Sequence, residues 1–491
     1  MEYSHSKINV SRQPINFSPD NKRVVTRFFY PDDKERIIRI FDRINLLSDG
    51  EVNIYLKQVI NNFSHRHRDI KRTFKNNFDK ILREIDFNTN LSLKKRLFIG
   101  SYFTMEYSIE AAALFNPSIV KHPDQSILKK GRLRVILSFR AVGEGHISSI
   151  VFRKGIIKEN GDLSVDTKSA LIEKEERILN STYNKKDFII KLKDSPRCDI
   201  VYKILDDLLD EFTYEELRES LKKYTKSHST ERSEEFRNVV ETLLWLANSN
   251  YEIKFKNDLS LSGRVIFPVS KNETKGIEDA RFVLFTNDDG TSTYYATYTA
   301  YNGKDALPQL IETKDFCHFK ISTLFGSGSQ GKGMALFPEK INGKYVVISR
   351  NDNENIYIMF SDSIRNWENP IFIKPPCYYW EFFQVGNSGS PLKTDKGWLL
   401  LTHGVGPVRT YCLGAILLDI NDPTKIIGVL EEPLLIPLES ERNGYVPNVV
   451  YSCGAIIHNN KLVIPYAMSD TRSGVASLNL SDLFENMKYF K

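Results

Sequence analysis

The chain has 491 residues, a length that corresponds to roughly two to four domains of ordinary size. Its 68 lysines and arginines against 62 aspartates and glutamates give a formal charge of +6, too small a surplus to indicate a nucleic-acid-binding protein. Hydrophobic residues at 41% and charged residues at 26% are typical of a globular protein, and no apolar run approaches the roughly 18 residues that cross a membrane. We therefore expect neither a nucleic acid nor a membrane as a partner.

Five cysteines are spread along the chain, at Cys198, Cys317, Cys377, Cys412 and Cys453. Their odd number and wide spacing match neither a disulfide framework nor a CxxC metal-binding pattern. The first residues, MEYSHSKINVSRQPINFS, lack the cationic and apolar regions of a secretory signal. We therefore expect reduced cysteines and a cytoplasmic protein.

The stretch from Asp32 to about Ser108 has helical spacing. Ile37, Phe41 and Ile44 recur at intervals of three and four residues, and Asp49-Gly50 reads as the end of that helix. The basic segment that follows, SHRHRDIKRTFKNNFDKILREI, has the charge of an RNA-binding helix, but its charged side has no interleaved aromatic residues. We interpret it as a solvated helix face in an N-terminal helical region, residues 1–130.

From Arg132 onward the hydrophobic pattern changes to a period of two. Short runs such as RVILSF, RFVLF, STYYATYT, KYVVIS and KLVIPYAM alternate with Gly- and Asn-containing turns. Many short strands indicate a sandwich, a barrel or a propeller, and their spread over more than about 250 residues favours a propeller. Residues 168–248 return to helical spacing, which predicts a helical insertion between early blades.

Residues with chemical capacity occur in the turns between these strands. The first group contains Arg140, Glu144 and His146 among glycines that permit close backbone approach to a ligand. The second, GIEDARF, places Glu278 and Asp279 side by side, and cleavage of a glycosidic bond needs such a pair of carboxyl groups. From the residues alone, a structural ion pair with Arg281 stays open as an alternative.

Further candidates follow in later turns. They are Lys332, Arg350, Asn351, Asp352, Glu381, Asn387, His403, Arg409 and Asp470, together with Tyr298 on a predicted strand, for which stacking on a sugar and packing in the core are equal alternatives. The histidines do not form a metal-ligand pattern such as HExxH, and no GxSxG nucleophile motif is present. We expect no metal and no organic cofactor.

Several motifs together resemble glycoside hydrolase family 130, which contains β-mannoside phosphorylases and β-mannosidases. The matching segments are GIEDARFV, YTAYNG, KGMALFPEKINGKYVVISR, GNSGSPLKTDKGWLLLTHGV and GYVPNVVYSCGAIIHNNKLVIPYAMSD. The resemblance implies a mainly β fold, a five-bladed β-propeller over residues 131–491, with the helical region and the helical insertion added as in the family's longer members.

The resemblance further implies an exo-acting enzyme that cleaves β-linked mannosides with inversion at the anomeric carbon. The motif's aspartate, Asp279, is then the general acid, which protonates the glycosidic oxygen through a mannose hydroxyl. The residues expected to bind the sugar are Arg140, Glu144, His146, Glu278, Arg281, Tyr298, Asn351, Asp352, Asn387, His403 and Asp470.

Hydrolysis and phosphorolysis are both known in the family. Lys332, Arg350 and Arg409 are the candidate phosphate-binding residues, with inorganic phosphate as a co-substrate. However, Ser349 stands where the family has a histidine, and Tyr301-Asn302 stands where a phosphate-binding arginine is expected. We therefore favour hydrolysis, with Glu381 as the base that activates water.

Two further expectations do not depend on whether water or phosphate attacks the anomeric carbon. A non-catalytic sugar-binding propeller is the alternative of a different functional class. A homo-oligomer is compatible with the sequence.

Overall fold

The computed structural model describes residues 8–31, 33–85, 90–178, 182–192, 198–227 and 234–490. Parts of the predicted segments 1–130 and 168–248 lie outside these residues, and the predicted division of the chain into domains stays a prediction. Within the described ranges, no helix is both long enough and apolar enough to cross a membrane.

Four helices lie near the N-terminus: α1 (Lys34–Asn45), α2 (Asp49–Phe63), α3 (Ile70–Leu82) and α4 (Leu93–Tyr102). The α2 helix begins at a capping box in which Ser48 and Glu51 satisfy each other's backbone N–H groups. The Asp49-Gly50 pair is therefore the first turn of α2 rather than the end of α1. The strands Val24–Phe28 and Thr104–Ser108, which flank this group of helices in the sequence, pair antiparallel with each other.

A second group of helices interrupts the strands: α5 (Lys185–Leu192), α6 (Cys198–Asp206), α7 (Tyr214–Ser227) and α8 (Glu234–Ser249). They share a hydrophobic core of their own, to which α6 contributes Ile200, Val201, Ile204 and Leu205 at helical spacing. The short strands Thr182–Asn184 and Glu211–Thr213 pair beside them. A last helix, α9 (Leu480–Glu485), lies near the C-terminus.

The strands form five antiparallel meanders, which we number in chain order. Meander 1 consists of Ala113–Lys121, Leu133–Val142, Ser148–Ile157 and Leu163–Val165. Meander 2 consists of Gly276–Thr286, Ser292–Tyr301, Ala306–Thr313 and His318–Thr323. Meander 3 consists of Ala335–Leu336, Tyr345–Ser349, Ile356–Ser361 and Ile371–Lys374. Meander 4 is Gln384–Asn387, Gly397–Val405, Tyr411–Leu418 and Ile426–Val429; meander 5 is Val450–Tyr451, Lys461–Met468, Arg472–Asn479 and the N-terminal strand Ser11–Phe17.

Shorter strands extend these meanders. Tyr251–Lys254 and Glu176–Ile178 continue meander 2, Arg264–Ile266 pairs with meander 1 and with Glu173–Lys174, Leu392–Thr394 and Lys488–Tyr489 add to meander 4, and Ile456–His458 adds to meander 5. The prediction of a mainly β fold with helices is confirmed, whereas the five-bladed propeller stays a prediction.

The meanders are buried on both faces. All nine residues of Gly397–Val405 are buried, and so are the first eight of Ala113–Lys121. Hydrophobic clusters fill the space between neighbouring meanders; one of them joins Leu399 and Leu413 of meander 4 to Ile464 of meander 5. Full burial of each such side chain contributes about 1.5–3 kcal/mol, so these contacts hold adjacent meanders together.

Gly276 joins meanders 1 and 2 through a single parallel bridge to Ser148. Its φ is +128°, and an added Cβ would lie 2.5 Å from the backbone nitrogen and 2.8 Å from the backbone oxygen of Ser148. We expect Gly276→Ala to lower the free energy of unfolding by about 2–4 kcal/mol, because overpacking and backbone strain add. The measurement is urea denaturation followed by tryptophan fluorescence.

The matched control is Gly290→Ala, at φ +79° in a turn where an added Cβ meets no atom within 4 Å. It should show only the cost of the strained backbone, about 1 kcal/mol. Equal losses at Gly276 and Gly290 would contradict the close approach of meanders 1 and 2.

Candidate active site

A polar cavity of about 160 Å³ is lined by residues from all five meanders or the turns beside them. The lining residues are Asn116, Arg140, Asp279, Arg350, His403, Arg409, Tyr411, Val446, Val449, Tyr451 and Asp470. Six of these were predicted from the sequence as site residues: Arg140, Asp279, Arg350, His403, Arg409 and Asp470. The structure therefore brings together side chains that are up to 330 residues apart in the chain.

Two facing β-bulges direct Asp279 and Asn116 toward each other. The register of Gly276–Thr286 shifts between Glu278 and Arg281, and the register of Ala113–Lys121 shifts between Phe115 and Ser118. Asp279 has φ +55° and Asn116 has φ +46°, so both depart from strand geometry at the bulge. Asn116 Nδ2 donates a hydrogen bond to Asp279 Oδ1 at 2.7 Å.

Two arginines and an amide stabilise the charged form of Asp279. Arg140 Nη1 lies 3.5 Å from its Oδ1, and Arg281 Nη1 donates to its backbone oxygen at 3.1 Å. Burial on its own raises the pKa of Asp279, but Arg140, Arg281 and the Asn116 hydrogen bond outweigh it and hold the pKa below the ordinary value. Asp279 is therefore a carboxylate at neutral pH in the free protein.

The pKa of Asp470, in the same cavity, is shifted in the opposite direction. Burial raises its pKa to about 6, and repulsion from Asp279 adds to this, while Arg140 and Arg409 partly oppose it. Two carboxyl groups whose acidities are pushed apart can take different roles in proton transfer. The cavity therefore holds one ionised carboxylate and one carboxyl group that titrates near neutral pH.

His403 is a neutral hydrogen-bond acceptor for an arginine. Burial, together with Arg350 and Arg281, lowers the pKa of His403 far below its ordinary value. Its Nε2 lies 3.2 Å from Arg350 Nη1, so the neutral ring accepts from the guanidinium. Gly386 makes room for this pair, since a Cβ there would lie 2.6 Å from His403 Cε1 and 3.0 Å from Arg350 Cδ.

Arg409 reaches the cavity from a strained turn. Val408 and Arg409 have φ of +55° and +53°, a left-handed conformation that is rare for a β-branched residue such as valine. Such strain costs of order 1–3 kcal/mol per residue and persists where the surrounding structure enforces it, commonly at functional sites. The turn thus stores strain while it holds a cation at the cavity.

Several buried polar atoms around the cavity have no hydrogen-bond partner among the described residues. They include Arg140 Nε, Arg281 Nε, Arg350 Nε, Asn116 Oδ1, His403 Nδ1 and both side-chain atoms of Asn387. Buried polar groups are normally paired, so this concentration of unpaired donors and acceptors indicates a place where a polar ligand completes the hydrogen bonding.

Three predicted residues stand directly behind the cavity and support it. Glu278 accepts from Arg140 Nη2 at 2.7 Å and from Lys332 Nζ at 2.5 Å. Arg281 Nη2 donates to the Tyr451 hydroxyl at 2.6 Å, which fixes a ring of the cavity wall. These contacts position Arg140 and Tyr451.

Other predicted residues are not brought to the cavity. The buried Tyr298 hydroxyl donates to Glu273, and Asn351 donates to the Gly328 carbonyl. Asp352 accepts hydrogen bonds from backbone N–H groups within its own exposed turn. Glu144 and His146 lie in another turn, where the His146 ring contacts the Tyr445 ring. Most of these side chains are therefore engaged in hydrogen bonds within their own turn or within the core. Their predicted contact with substrate stays a prediction that this geometry does not favour.

Glu381 is also absent from the cavity lining. Its Oε1 accepts from Lys374 Nζ and from the backbone N–H groups of Cys377 and Tyr378 at 2.9 and 3.2 Å. Its side chain is 1% exposed. A carboxylate whose charge is satisfied by a buried lysine and two N–H groups is a poor base for activating water.

Sequence reasoning missed Asn116, Tyr411, Val446, Val449 and Tyr451. Asn116 fell in the segment assigned to the helical region, although Pro117 directly follows it. A proline inside a strand pattern is a recognised signal of a bulge, so the pair Asn116-Pro117 contained usable information. The other four residues carry no distinctive pattern in the sequence.

The described residues contain no group of three or more histidine, cysteine, aspartate or glutamate side chains arranged to hold a metal ion. The cavity thus combines two carboxyl groups of unlike acidity with several arginines. Such carboxyl pairs are typical of enzymes that cleave glycosidic bonds.

Comparisons with known proteins identify the family. A model described as beta-1,4-mannooligosaccharide phosphorylase, glycoside hydrolase family 130, matches residues 215–489. The chain is 39% identical over 225 residues to 1,2-beta-oligomannan phosphorylase of Thermoanaerobacter sp. (strain X514), covering 44% of this chain and 74% of the relative. It is 32% identical over 233 residues to beta-1,2-mannobiose phosphorylase of Listeria innocua, covering 45% and 63%.

Among solved structures, the Listeria innocua enzyme in complex with β-1,2-mannobiose aligns over 77% of this chain and 92% of its own, with 23% identity and a TM-score of 0.45. The chain belongs to glycoside hydrolase family 130, so the predicted family of glycoside-cleaving enzymes is confirmed. The predicted preference for hydrolysis is not supported over phosphorolysis, because these curated relatives are named phosphorylases.

The raised pKa of Asp470 makes a prediction about stability. Its folded pKa, about 6, exceeds the ordinary 3.8, so the folded state disfavours its ionisation, and this carboxyl costs stability progressively as the pH rises from about 4 to 6. We expect Asp470→Asn to become more stabilising between pH 4 and pH 7.5, by about 1–3 kcal/mol relative to the native chain. The measurement is urea denaturation at both pH values.

The control is Asp289→Asn, at an exposed turn where hydrogen bonds from Thr291 lower the pKa of the carboxyl group. This variant should gain no stability as the pH rises. The same pH dependence in both variants would show that Asp470 is not buried beside Asp279.

Proposed function

We propose that this protein is a β-mannoside phosphorylase, which uses inorganic phosphate to release mannose 1-phosphate from the end of a β-linked manno-oligosaccharide. The observation that carries the proposal is a surplus of positive charge at the cavity. Arg140, Arg350 and Arg409 line it, and Arg281 and Lys332 stand behind it. The acids there are Glu278, Asp279 and Asp470, so five cations stand against three acids.

A surplus of about two positive charges matches a phosphate dianion. Arginine is suited to this ligand because its planar guanidinium makes paired, charge-assisted hydrogen bonds to phosphate oxygens. The sequence argument for hydrolysis was that Ser349 and Tyr301-Asn302 stand where the family has a histidine and a phosphate-binding arginine, which leaves fewer cations for phosphate. Arg140 and Arg409 add two further cations, so the charge of a desolvated dianion would be compensated.

The names of the relatives described above also support phosphorolysis, since each of them is named a phosphorylase. Hydrolysis, in contrast, needs a base for water. The carboxylate predicted for that task, Glu381, is engaged with Lys374 outside the cavity. Phosphate is itself a nucleophile at neutral pH and needs no such base.

The proposed reaction gives each group one task. A phosphate oxygen attacks the anomeric carbon from the face opposite the leaving oxygen, the glycosidic bond breaks, and the configuration inverts. The leaving oxygen receives a proton that derives from Asp279, through a hydroxyl of the bound mannose, as the family resemblance implies. The products are mannose 1-phosphate and an oligosaccharide shorter by one residue.

The lowered pKa of Asp279 is consistent with a general acid that becomes protonated only when phosphate is bound. Arg140, Arg281 and Lys332 keep Asp279 ionised in the free protein. A bound dianion beside the arginines offsets their field and raises the pKa of Asp279. Protonation for catalysis then follows phosphate binding, which would limit unproductive protonation when phosphate is absent.

We also propose that the five meanders are the blades of a five-bladed β-propeller. Two features support this arrangement: every meander or its adjoining turn contributes to one cavity, and Ser11–Phe17 adds to Arg472–Asn479, as in a ring closed by both ends of the chain. A cytoplasmic location stays a prediction.

Incubation with β-1,2- and β-1,4-mannobiose, with and without phosphate, tests the activity. We expect mannose 1-phosphate only when phosphate is present, and we expect Asp279→Asn to reduce the rate by about 10²–10⁴-fold while the fold is retained. Product analysis by chromatography with ³¹P NMR is the measurement. Free mannose at equal rates without phosphate would establish hydrolysis instead, and binding with no product would establish a non-catalytic module.

The role of the arginines is tested through the KM for phosphate. Arg350→Gln and Arg409→Gln should each raise that KM by about 10–100-fold, since a hydrogen bond to a charged group contributes about 1.5–3 kcal/mol. The KM for the mannoside should change less. Arg132→Gln, an exposed arginine outside the cavity, is the charge-matched control and should leave both constants unchanged. Equal effects on both substrates would contradict a phosphate site at these arginines.

A further inference from the structure

A second polar cavity, of about 370 Å³, lies between the N-terminal helices and the strands. One face of α3 lines it with Arg72, Thr73, Asn76 and Lys80, which are spaced at three and four residues. The opposite wall includes Arg27, Lys174 and Lys254 from three strands. This α3 face belongs to the basic segment that the sequence suggested was simply solvated. The second cavity shares no lining residue with the candidate active site.

Positive charge predominates in this second cavity. Seven arginines and lysines line it with four carboxyl groups. Arg68 is paired with Asp258 and Glu173. In the described part of the chain, the other six have no carboxylate within ion-pair distance: Arg27, Arg72, Lys80, Lys174, Lys254 and Lys256.

Two of the four carboxyl groups are already engaged and contribute little to neutralising these cations. Asp69 caps the N-terminus of α3 by accepting from the backbone N–H of Arg72 at 2.9 Å. Glu175 accepts from the backbone N–H of Phe267 at 2.9 Å, and burial raises its pKa to about 8. Asp69 and Glu175 thus accept from backbone N–H groups and, among the residues that the structure describes, form no ion pair with the cations of this cavity.

Aromatic rings, rather than acids, contact three of these cations. Arg27 Cζ lies 4.9 Å from the centre of the Tyr107 ring and 5.4 Å from that of Phe267. Lys174 Nζ lies 5.4 Å from the centre of the same Phe267 ring, and Lys80 Nζ lies 5.5 Å from that of Phe28. Arg27 and Lys174 thus share one ring although they carry the same charge.

The repulsion among these cations is visible at Lys174. Burial lowers the pKa of Lys174, and repulsion from Arg27 and Lys80 lowers it further, against a partial offset from Glu175. Half-buried like charges are unfavourable unless an anion lies between them. An arrangement that positions such cations without acids is suited to an anionic ligand.

We propose that this second cavity binds a small phosphorylated molecule, whose phosphate is held by Arg27, Lys80 and Lys174 and whose remaining polar groups contact the α3 face. The volume is that of an ordinary small-molecule pocket. A nucleic acid is disfavoured, because Phe28 and Phe267 are covered by cations and are not free to stack on bases. The proposal is independent of the reaction at the candidate active site.

Isothermal titration calorimetry with inorganic phosphate, pyrophosphate and glucose 6-phosphate tests this proposal on the full-length chain. The variant Arg72→Gln/Lys80→Gln removes two cations of the second cavity from exposed positions on α3, where loss of folding is not expected. The matched control, Lys71→Gln/Lys75→Gln, removes the same charge from the same helix at positions outside the lining. Titrations are repeated with Arg350→Gln to separate binding at the candidate active site.

We expect at least one of the three phosphates to bind the native chain and to bind Arg72→Gln/Lys80→Gln at least about tenfold more weakly, a loss of roughly 1.4 kcal/mol or more. The control should bind within about twofold of the native chain. Equal affinity for phosphate and glucose 6-phosphate would identify the phosphate ion itself as the ligand; tighter binding of glucose 6-phosphate would identify a phosphorylated sugar. The same affinity in both double variants, or no binding beyond that lost in Arg350→Gln, would overturn the proposal.

Phosphorolysis of mannobiose by the two double variants separates the two proposals. Arg72→Gln/Lys80→Gln should retain the catalytic rate of the native chain in the absence of added sugar phosphate. Loss of binding at the second cavity with normal phosphorolysis would support both proposals. Binding at the second cavity without any mannoside cleavage would leave this inference standing and overturn only the proposed function.

Discussion

The contact between Asn116 and Asp279 depends on two bulges that face each other across meanders 1 and 2, and the candidate active site is arranged around it. In a regular strand, residues 278–281 would alternate strictly between the two faces of the sheet. The extra residue in each strand breaks that alternation and turns both side chains into the cavity. Phe282 N also donates to Ser118 Oγ at 3.1 Å, which ties the two bulged strands together beside the site.

The acids and bases of the candidate active site form two layers. Glu278 and Arg281 lie in the layer behind the cavity and hold Arg140 and Tyr451 of the cavity lining by short hydrogen bonds. Because Glu278 accepts from both Arg140 and Lys332, these two cations are fixed in direction and only partly neutralised. The outer layer, next to the ligand, is then free to contain more positive than negative charge, which is the condition for binding an anion beside a reactive carboxyl group.

The sequence was informative where function depends on a short local motif. GIEDARF led to Asp279 and to the residues that support it, and the turns after predicted strands led to Arg350, His403, Arg409 and Asp470. Except for His403, which lies inside the strand Gly397–Val405, these side chains extend from turns, strand ends or a bulge, where a motif and a turn signal coincide. The mainly β fold followed from short runs of β-branched and aromatic residues between Gly- and Asn-containing turns, although burial of both faces, as in Gly397–Val405, weakens a strict period of two.

The sequence was uninformative where a side chain's partner is far away in the chain or lies on another element. Glu381 appeared to be a free carboxylate, but its charge is met by Lys374, and no local pattern links the two. Tyr298 appeared to be a stacking surface, but Glu273 occupies its hydroxyl in the core. Such pairings are set by how turns fold back onto neighbouring elements, which periodicity does not encode.

The two cavities differ in how their cations are fixed, and this difference suggests different tasks. In the candidate active site, Arg140 is held by carboxylates, so part of its charge is already compensated and a bound anion gains less. In the second cavity, Arg27 and Lys174 are held by the Phe267 ring, which orients a cation without neutralising it. Partial compensation suits the proposed phosphorolysis, in which a phosphorylated product leaves after every turnover. Uncompensated cations suit a site where a phosphate stays bound while the reaction proceeds elsewhere.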